Sequence, residues 1–220
     1  MKKLLGIMAA SALAVSAFAQ GTVQFQNQTG TVKQWTASNN TTLISVPKSS
    51  GYIELIAAPT GTPLPNPLGV LGSSGFTTSY STLSSFLAAN PGWAVALSGS
   101  GTAQNPGLIA TGPGLFSYGA LTINNIAEGA QAEYIAIAWT GTSTTLDTGI
   151  SQGAFIGESA IFTTATGDPL ASPPGAPANT KTIFGGMTLA PQVTAIVPEP
   201  TSFALMGLGA AALMIFRRRK

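Results

Sequence analysis

Cysteine and histidine are both absent from this chain of 220 residues. Without cysteine the protein can form no disulfide bond, and no lipid-anchored lipoprotein leader is expected. Without either residue, Ser-His-Asp and Cys-His nucleophile arrangements are excluded, and so are His/Cys metal sites. We therefore expect no metal and no cofactor, and we expect stability to come from sheet pairing and burial.

Charge is also scarce, at 7% of the chain, against about 25% in ordinary soluble proteins. The overall net charge of +2 comes from the two ends, because residues 21–197 contain three lysines, six acids and no arginine, a net charge of −3. Nucleic-acid binding needs clustered lysine and arginine to neutralise phosphates, so that class is excluded. The remaining polarity is hydroxyl and amide, which is typical of exported proteins.

The amino-terminal segment has the three parts of a secretory leader. Two lysines follow the initial methionine, residues 4–15 are apolar, and Ala17 and Ala19 supply the small-x-small pattern that signal peptidase accepts. This pattern predicts a signal peptide over residues 1–19, with cleavage after Ala19.

The carboxyl-terminal segment also has the composition of a targeting sequence. A short acidic motif bracketed by prolines precedes an apolar helix of about residues 201–216, whose strictly apolar part is 203–216, and the chain ends in a basic cluster. The motif is Pro198, Glu199 and Pro200, and the basic cluster is Arg217, Arg218, Arg219 and Lys220. The positive-inside rule places the basic end on the cytoplasmic side. The apolar run is shorter than the roughly 20 residues that span a bilayer, so flanking residues must contribute.

Residues 197–220 closely resemble a PEP-CTERM sorting signal, found in Gram-negative bacteria that make exopolysaccharide. The resemblance implies that an exosortase-like enzyme recognises Pro198, Glu199 and Pro200 and removes the helix and basic tail. The implied partners are signal peptidase, this sorting enzyme and, transiently, the inner membrane. The implied destination is the cell surface or the extracellular space. A permanent carboxyl-terminal membrane anchor without cleavage remains the alternative.

Residues 20–196 predict one all-β domain with a β-sandwich or jelly-roll-like fold. Short runs with strand character are separated by Gly/Pro turns, which favours a sandwich. The candidate strands are residues 22–26, 52–56 (with Glu54 on the solvent side), 93–97, 115–123, 134–139, 155–162 and 182–189. Residues 81–90 predict one short helix ended by Asn90-Pro91-Gly92, and residues 167–179 predict a loop.

The body is also similar to PEP-CTERM proteins of verrucomicrobial type in three short segments. Residues 52–61 resemble a strand followed by a Pro/Gly turn, residues 136–139 resemble an Ala-Trp strand, and residues 157–162 resemble a Gly-Glu-Ser strand. The likeness implies fold and secretion, and it implies no biochemical activity.

Carboxylates are the remaining catalytic candidates. Asp147 lies in an Asp-Thr-Gly sequence, but aspartic proteases need two carboxylates that share a proton, and Asp168 lies in a Gly-Asp-Pro turn. A turn between strands is therefore the expected role of Asp147. Glycoside hydrolysis would use a pair among Glu128, Glu133 and Glu158, but no spacing selects a pair, and we expect exposed strand and turn acids.

Aromatic side chains beside neutral polar groups suit carbohydrate binding, although aromatics on strands are more often part of the core. Trp35, between Gln34 and Thr36, is the candidate for an exposed sugar-stacking ring. The sequence therefore predicts an exported surface or matrix-associated structural protein that is not an enzyme. A carbohydrate-binding or adhesion module acting on exopolysaccharide is the first alternative, and a glycan or peptide hydrolase is the second.

Overall fold

The computed structural model describes residues 20–28, 30–36, 42–98, 103–104, 106–168 and 175–193. The predicted signal peptide and the predicted sorting helix lie outside these residues. Within them the protein is mostly β-structure with few helices, as the sequence predicts. The elements are β1 Gly21–Gln26, β2 Val32–Trp35, β3 Leu43–Ser45, β4 Gly51–Pro59, β5 Gly69–Leu71, β6 Phe76–Thr78, α1 Leu83–Ala89, β7 Ala94–Val95, β8 Leu97–Ser98, β9 Ala103–Gln104, β10 Gly107–Leu108, β11 Ser117–Ile123, β12 Gln131–Thr140, α2 Leu146–Ser151, β13 Ile156–Glu158, β14 Phe162–Ala165, β15 Ala178–Asn179 and β16 Met187–Leu189.

The centre of the molecule is the antiparallel pair of β4 and β12. Their pairing runs without a break from Gly51 opposite Thr140 to Pro59 opposite Ala132. These strands belong to a six-stranded sheet in the order β10-β4-β12-β13, with β14 also paired to β12 and β7 to β4. The continuously apolar residues 134–139 of β12 suit a central strand, because such a strand is buried on both faces.

Both faces of the central pair are buried. Side chains on one face, such as Leu55 and Tyr134, pack with Val23 and Phe25 of β1 in a first core. Side chains on the other face, such as Ile56 and Ile137, form a second core. The two cores follow from the alternation of side chains along a strand. The first core contains residues of both larger sheets. The sequence predicted an all-β domain but did not predict the second core.

Helix α1 covers the second core. Thr82 caps its amino terminus by accepting a hydrogen bond from the Ser85 backbone N–H at 3.1 Å, and Leu83 and Phe86 are its buried residues. The fully buried Asn90 side chain ends the helix, donating to the Phe86 carbonyl at 3.0 Å and to the Asn66 carbonyl at 2.7 Å. The helix and its end therefore form where the sequence predicts them. Helix α2 buries Leu146 against the same core.

The beginning and the end of the described body lie side by side. Strand β1 pairs with β11 and, in parallel, with β15, in a five-stranded sheet of order β15-β1-β11-β8-β9. Strand β2 pairs in parallel with β16 and antiparallel with β3. The alternation of buried and half-buried residues along β1 matches the prediction of a strand with one buried face.

Three predicted strands differ from the structure. Residues 93–97 were expected to form one strand, but the structure divides them between β7, which pairs with β4, and β8, which pairs with β11. Residues 155–162 were expected to form one strand, but the structure divides them between β13 and β14, which pair with different parts of β12. Residues 182–189 form a strand only at β16, because residues 181–183 make a turn. Among the described residues, no helix has the length and apolarity that a membrane crossing requires.

Candidate functional site

Trp35, predicted as a sugar-stacking residue, is buried. It ends β2 and is only 3% exposed, with its side chain in the second core. The prediction of exposure was wrong because it relied on the polar neighbours of Trp35, whereas burial of the large indole decides which way the residue faces. Trp93 and Trp139 are also buried. None of the three indoles is therefore accessible to a sugar.

The predicted sorting residues and the predicted signal-peptidase residues lie outside the described part of the chain. These are Pro198, Glu199 and Pro200, the basic residues Arg217, Arg218, Arg219 and Lys220, and Ala17 and Ala19. The structure therefore places none of them.

The three glutamates considered for glycoside hydrolysis do not form one site. Glu128 lies in the turn before β12, as predicted. Glu133 accepts a hydrogen bond from the Gly61 backbone N–H at 3.0 Å. Glu158 of β13 lies opposite Ile137 of β12. Ile137 is four residues along β12 from Glu133, a distance of about 13 Å along the strand. The sequence was right to select no pair among them.

The structure instead aligns two glutamates across the central sheet. Glu54 of β4 and Glu158 of β13 both lie opposite Ile137, one on each side of β12. Residues directly opposite each other point to the same face of a sheet, so both carboxyls lie on the face of the second core. Neither is the freely solvated strand acid that the sequence predicts, since Glu54 is 5% exposed and Glu158 is half-buried.

A cavity of about 570 Å³ opens beside Glu54. It lies between β4, α1, the start of β10 and the segment that leads into α2. The lining residues are Tyr52, Glu54, Leu83, Ser84, Leu87, Pro106, Thr144, Thr145, Leu146 and Asp147. Two carboxylates, several hydroxyls and an apolar wall thus face one space, which makes this cavity the candidate site.

Glu54 is the buried acid of this site. The prediction that it faces solvent was wrong, because β4 is buried on both faces. Burial, and to a smaller extent the negative charge of Asp147, raise the pKa of the Glu54 carboxyl from 4.5 to about 7. A carboxyl with this pKa is present in both protonation states near neutral pH, so it can both donate and accept a proton.

Asp147 is the second acid of the site and lies at its exposed edge. It is in the first turn of α2, so the prediction of a turn between strands was wrong. Its Oδ1 accepts a hydrogen bond from the Leu83 backbone N–H at 2.7 Å. Because Leu83 is the first residue of α1, Asp147 satisfies an N–H group that lacks a partner within that helix.

Packing explains the glycine of the Asp-Thr-Gly sequence. A Cβ atom on Gly149 would lie 2.7 Å from Cδ1 of the Trp139 ring. Glycine at this position therefore lets α2 approach the central sheet closely. The Asp-Thr-Gly sequence here is the start of a short helix that packs on an indole.

Glu158 has a different environment from Glu54. Its Oε2 accepts a hydrogen bond from the Leu68 backbone N–H at 2.9 Å. Burial raises the pKa of Glu158 to about 7, although the backbone N–H groups of Leu68 and Gly69 lower it in part. Glu158 thus holds the segment before β5 against the central sheet, a structural role that its strand position did not reveal.

An Asp147→Asn variant should lower the pKa of Glu54, because the substitution removes the negative charge that raises it. The pKa should stay above 4.5, since burial is the larger cause and is unchanged. Titration of the Glu54 side-chain carboxyl by NMR in both proteins measures the difference. An unchanged pKa of Glu54 would show that the two carboxyls do not interact.

Comparison with known proteins bears on the carboxyl terminus alone. The model of the PEP-CTERM protein-sorting motif matches residues 197–220, which confirms the predicted sorting signal. No curated protein and no solved structure matches the chain. The motif indicates an exported protein that an exosortase-type enzyme sorts, with transient membrane anchoring before display at the surface.

Proposed function

We propose that this protein is a structural component of the cell surface or extracellular matrix of a Gram-negative bacterium. In this proposal an exosortase-type enzyme in the inner membrane cuts the chain next to Pro198-Glu199-Pro200 and releases the β-domain. The domain acts without catalysis. The observation that carries the proposal is the sorting motif matched at residues 197–220.

The distance between the folded body and the motif supports this order of events. The last described contacts of the body join Gln192 to Phe76 in a β-bridge and the Val193 backbone N–H to the Phe76 carbonyl at 3.1 Å. Pro198 follows Val193 by only five residues. In the sequence, the motif thus follows the last described contact of the body within five residues.

The composition of the body supports a structural role. Charged residues are only 7% of the chain, and the body is mostly β-structure. A neutral, hydroxyl-rich surface can form hydrogen bonds with a hydrated matrix without strong dependence on salt, because few of its contacts are ionic. We therefore expect retention in the matrix to persist when ionic strength is raised.

A Glu199→Ala variant should leave uncleaved precursor in the inner membrane, because the acid between the two prolines is the recognised group. Mass spectrometry of the wild-type surface protein should find a carboxyl terminus near residues 198–201. The Glu133→Ala variant loses the same charge within the body and should be processed as the wild type is. Intact Arg217–Lys220 on the surface protein would contradict cleavage and would favour the permanent anchor.

The absence of catalysis is tested separately. The released domain should show no turnover on glycan or peptide substrates, and Asp147→Asn and Glu158→Gln should change nothing in those assays. Turnover that either substitution abolishes would replace the structural role with a hydrolase.

A further inference from the structure

The cavity contains a buried acid, Glu54, that has no hydrogen-bond partner among the residues that the structure describes. Glu54 is 5% exposed, and no hydrogen bond joins its carboxyl to another of the residues that the structure describes. Burying a carboxylate without a partner is costly, and most buried charges are paired. Glu54 lines the cavity, so a molecule in that space would reach its carboxyl.

The charge of the cavity is of one sign. Among the described residues that line it, Glu54 and Asp147 are the carboxylic acids, and none is a lysine or an arginine. The lysines that the structure describes lie elsewhere, Lys33 on β2 and Lys48 and Lys181 in turns. The ligand with complementary charge is therefore a cation.

The rest of the lining selects the kind of cation. Leu83, Leu87 and Leu146 give the cavity an apolar wall, and Tyr52 adds an aromatic ring stacked on Trp139 with centroids 6.1 Å apart. A calcium ion takes six to eight oxygen ligands and makes no use of leucines. An ammonium group on a carbon body uses both parts, because the body packs on the apolar wall and an aromatic ring attracts a cation.

We propose that the cavity between β4, α1 and α2 binds a small organic ammonium ion. The ammonium group lies between Glu54 and Asp147, and the carbon body lies against Leu83 and Leu87. The site is formed by the β-domain itself, and its occupation does not depend on processing at Pro198-Glu199-Pro200.

The test compares two molecules of the same shape that differ in charge. Isothermal titration calorimetry at about pH 8 measures binding of 2-phenylethylammonium and of 2-phenylethanol to the protein purified from the producing cells. We expect saturable one-to-one binding of the ammonium and at least tenfold weaker binding of the alcohol, since hydrogen bonds to charged groups contribute about 1.5–3 kcal/mol. Equal affinity for the two molecules, or no binding of the ammonium, overturns the proposal.

Variants locate the site. Glu54→Gln keeps the size and removes the charge, and it should weaken binding of 2-phenylethylammonium at least tenfold. Asp147→Asn should weaken binding as well, while its side-chain oxygen can still accept the Leu83 N–H. Glu133→Gln, outside the cavity, should bind as the wild type does. Circular dichroism confirms that each variant is folded, and unchanged binding in folded Glu54→Gln overturns the proposal.

A second measurement, the release of protons on binding, reports whether the ammonium ion contacts Glu54. A cation beside Glu54 favours its ionised form, so binding near pH 7 should release protons. The measured enthalpy should then vary with the ionisation enthalpy of the buffer, and this variation should disappear in Glu54→Gln. Binding of calcium chloride in place of the ammonium would identify a metal site and overturn the proposal.

Discussion

The free energy of unfolding should fall by about 3 kcal/mol for each of Glu54 and Glu158 as the pH rises from about 4.5 to 8. Both carboxyls have a pKa of about 7 in the folded protein and an ordinary value of 4.5. Between these values the folded state binds more protons than the unfolded state, so stability decreases with rising pH. It is highest below about pH 4.5 and levels off above pH 7. These two groups thus make the protein more stable in mild acid than at pH 8.

Urea denaturation followed by tryptophan fluorescence at a series of pH values measures this fall. Glu54→Gln and Glu158→Gln should each remove their part of the pH dependence, because a neutral amide has no burial cost that grows with pH. Ser151→Ala, at an exposed position without a titratable group, is the control and should keep the full slope. A wild-type stability that is flat between pH 4.5 and 8 would contradict both assignments.

Replacing Trp139 by alanine should destabilise the protein by about 3–5 kcal/mol, the usual cost of removing a buried tryptophan. Trp139 has no exposed surface and lies in the second core. Its ring stacks on Tyr52 at 6.1 Å and lies against Gly149 of α2. Its Nε1 donates a hydrogen bond to the Ser143 carbonyl at 2.7 Å. The alanine variant loses all three interactions and leaves an unfilled space in the second core.

Trp139→Phe is the matched variant for the packing. It keeps an aromatic ring in the core and removes the hydrogen bond to Ser143, so it should cost about 1–2 kcal/mol. Chemical denaturation of both variants gives the two values. A loss below about 1 kcal/mol for the alanine variant would mean that the second core carries little of the stability.

The sequence predicted the elements whose pattern is local. The apolar run of β12 and the helix that ends at Asn90 formed where expected, because burial on two faces and a capping asparagine before Pro91 are visible in a few residues. The strand expected over residues 155–162 was not visible in this way. Ser159 interrupts it, because its Oγ accepts a hydrogen bond from the Ala136 backbone N–H at 2.9 Å. The Ser159 hydroxyl thus takes the place of a backbone carbonyl as the acceptor for the Ala136 N–H. The periodicity of the sequence does not reveal such a replacement.

The candidate site depends on residues that are far apart in the chain, and the sequence therefore missed it. Glu54 and Asp147 come together because α2 packs over β12 and β12 pairs with β4. One signal for Glu54 was nevertheless present, since residues 55–58 of its strand are all apolar. A run of this kind indicates a strand buried on both faces. An acid inside it is then a buried acid, and its exposure should not be inferred from alternation.

The parallel pairing of β2 with β16 also determines when the domain can complete its folding. An exported chain that emerges from its amino terminus presents β2 early, but the partner at Met187–Leu189 arrives only after nearly the whole body has crossed. Contacts that are so distant in sequence form slowly, because a long loop must close first. In the proposed export, with the amino terminus leading, translocation of the body precedes its final folding. Only eight residues separate Leu189, the end of β16, from Pro198. In this proposal, completion of the fold and recognition of the sorting motif are therefore successive steps that depend on neighbouring segments of the chain.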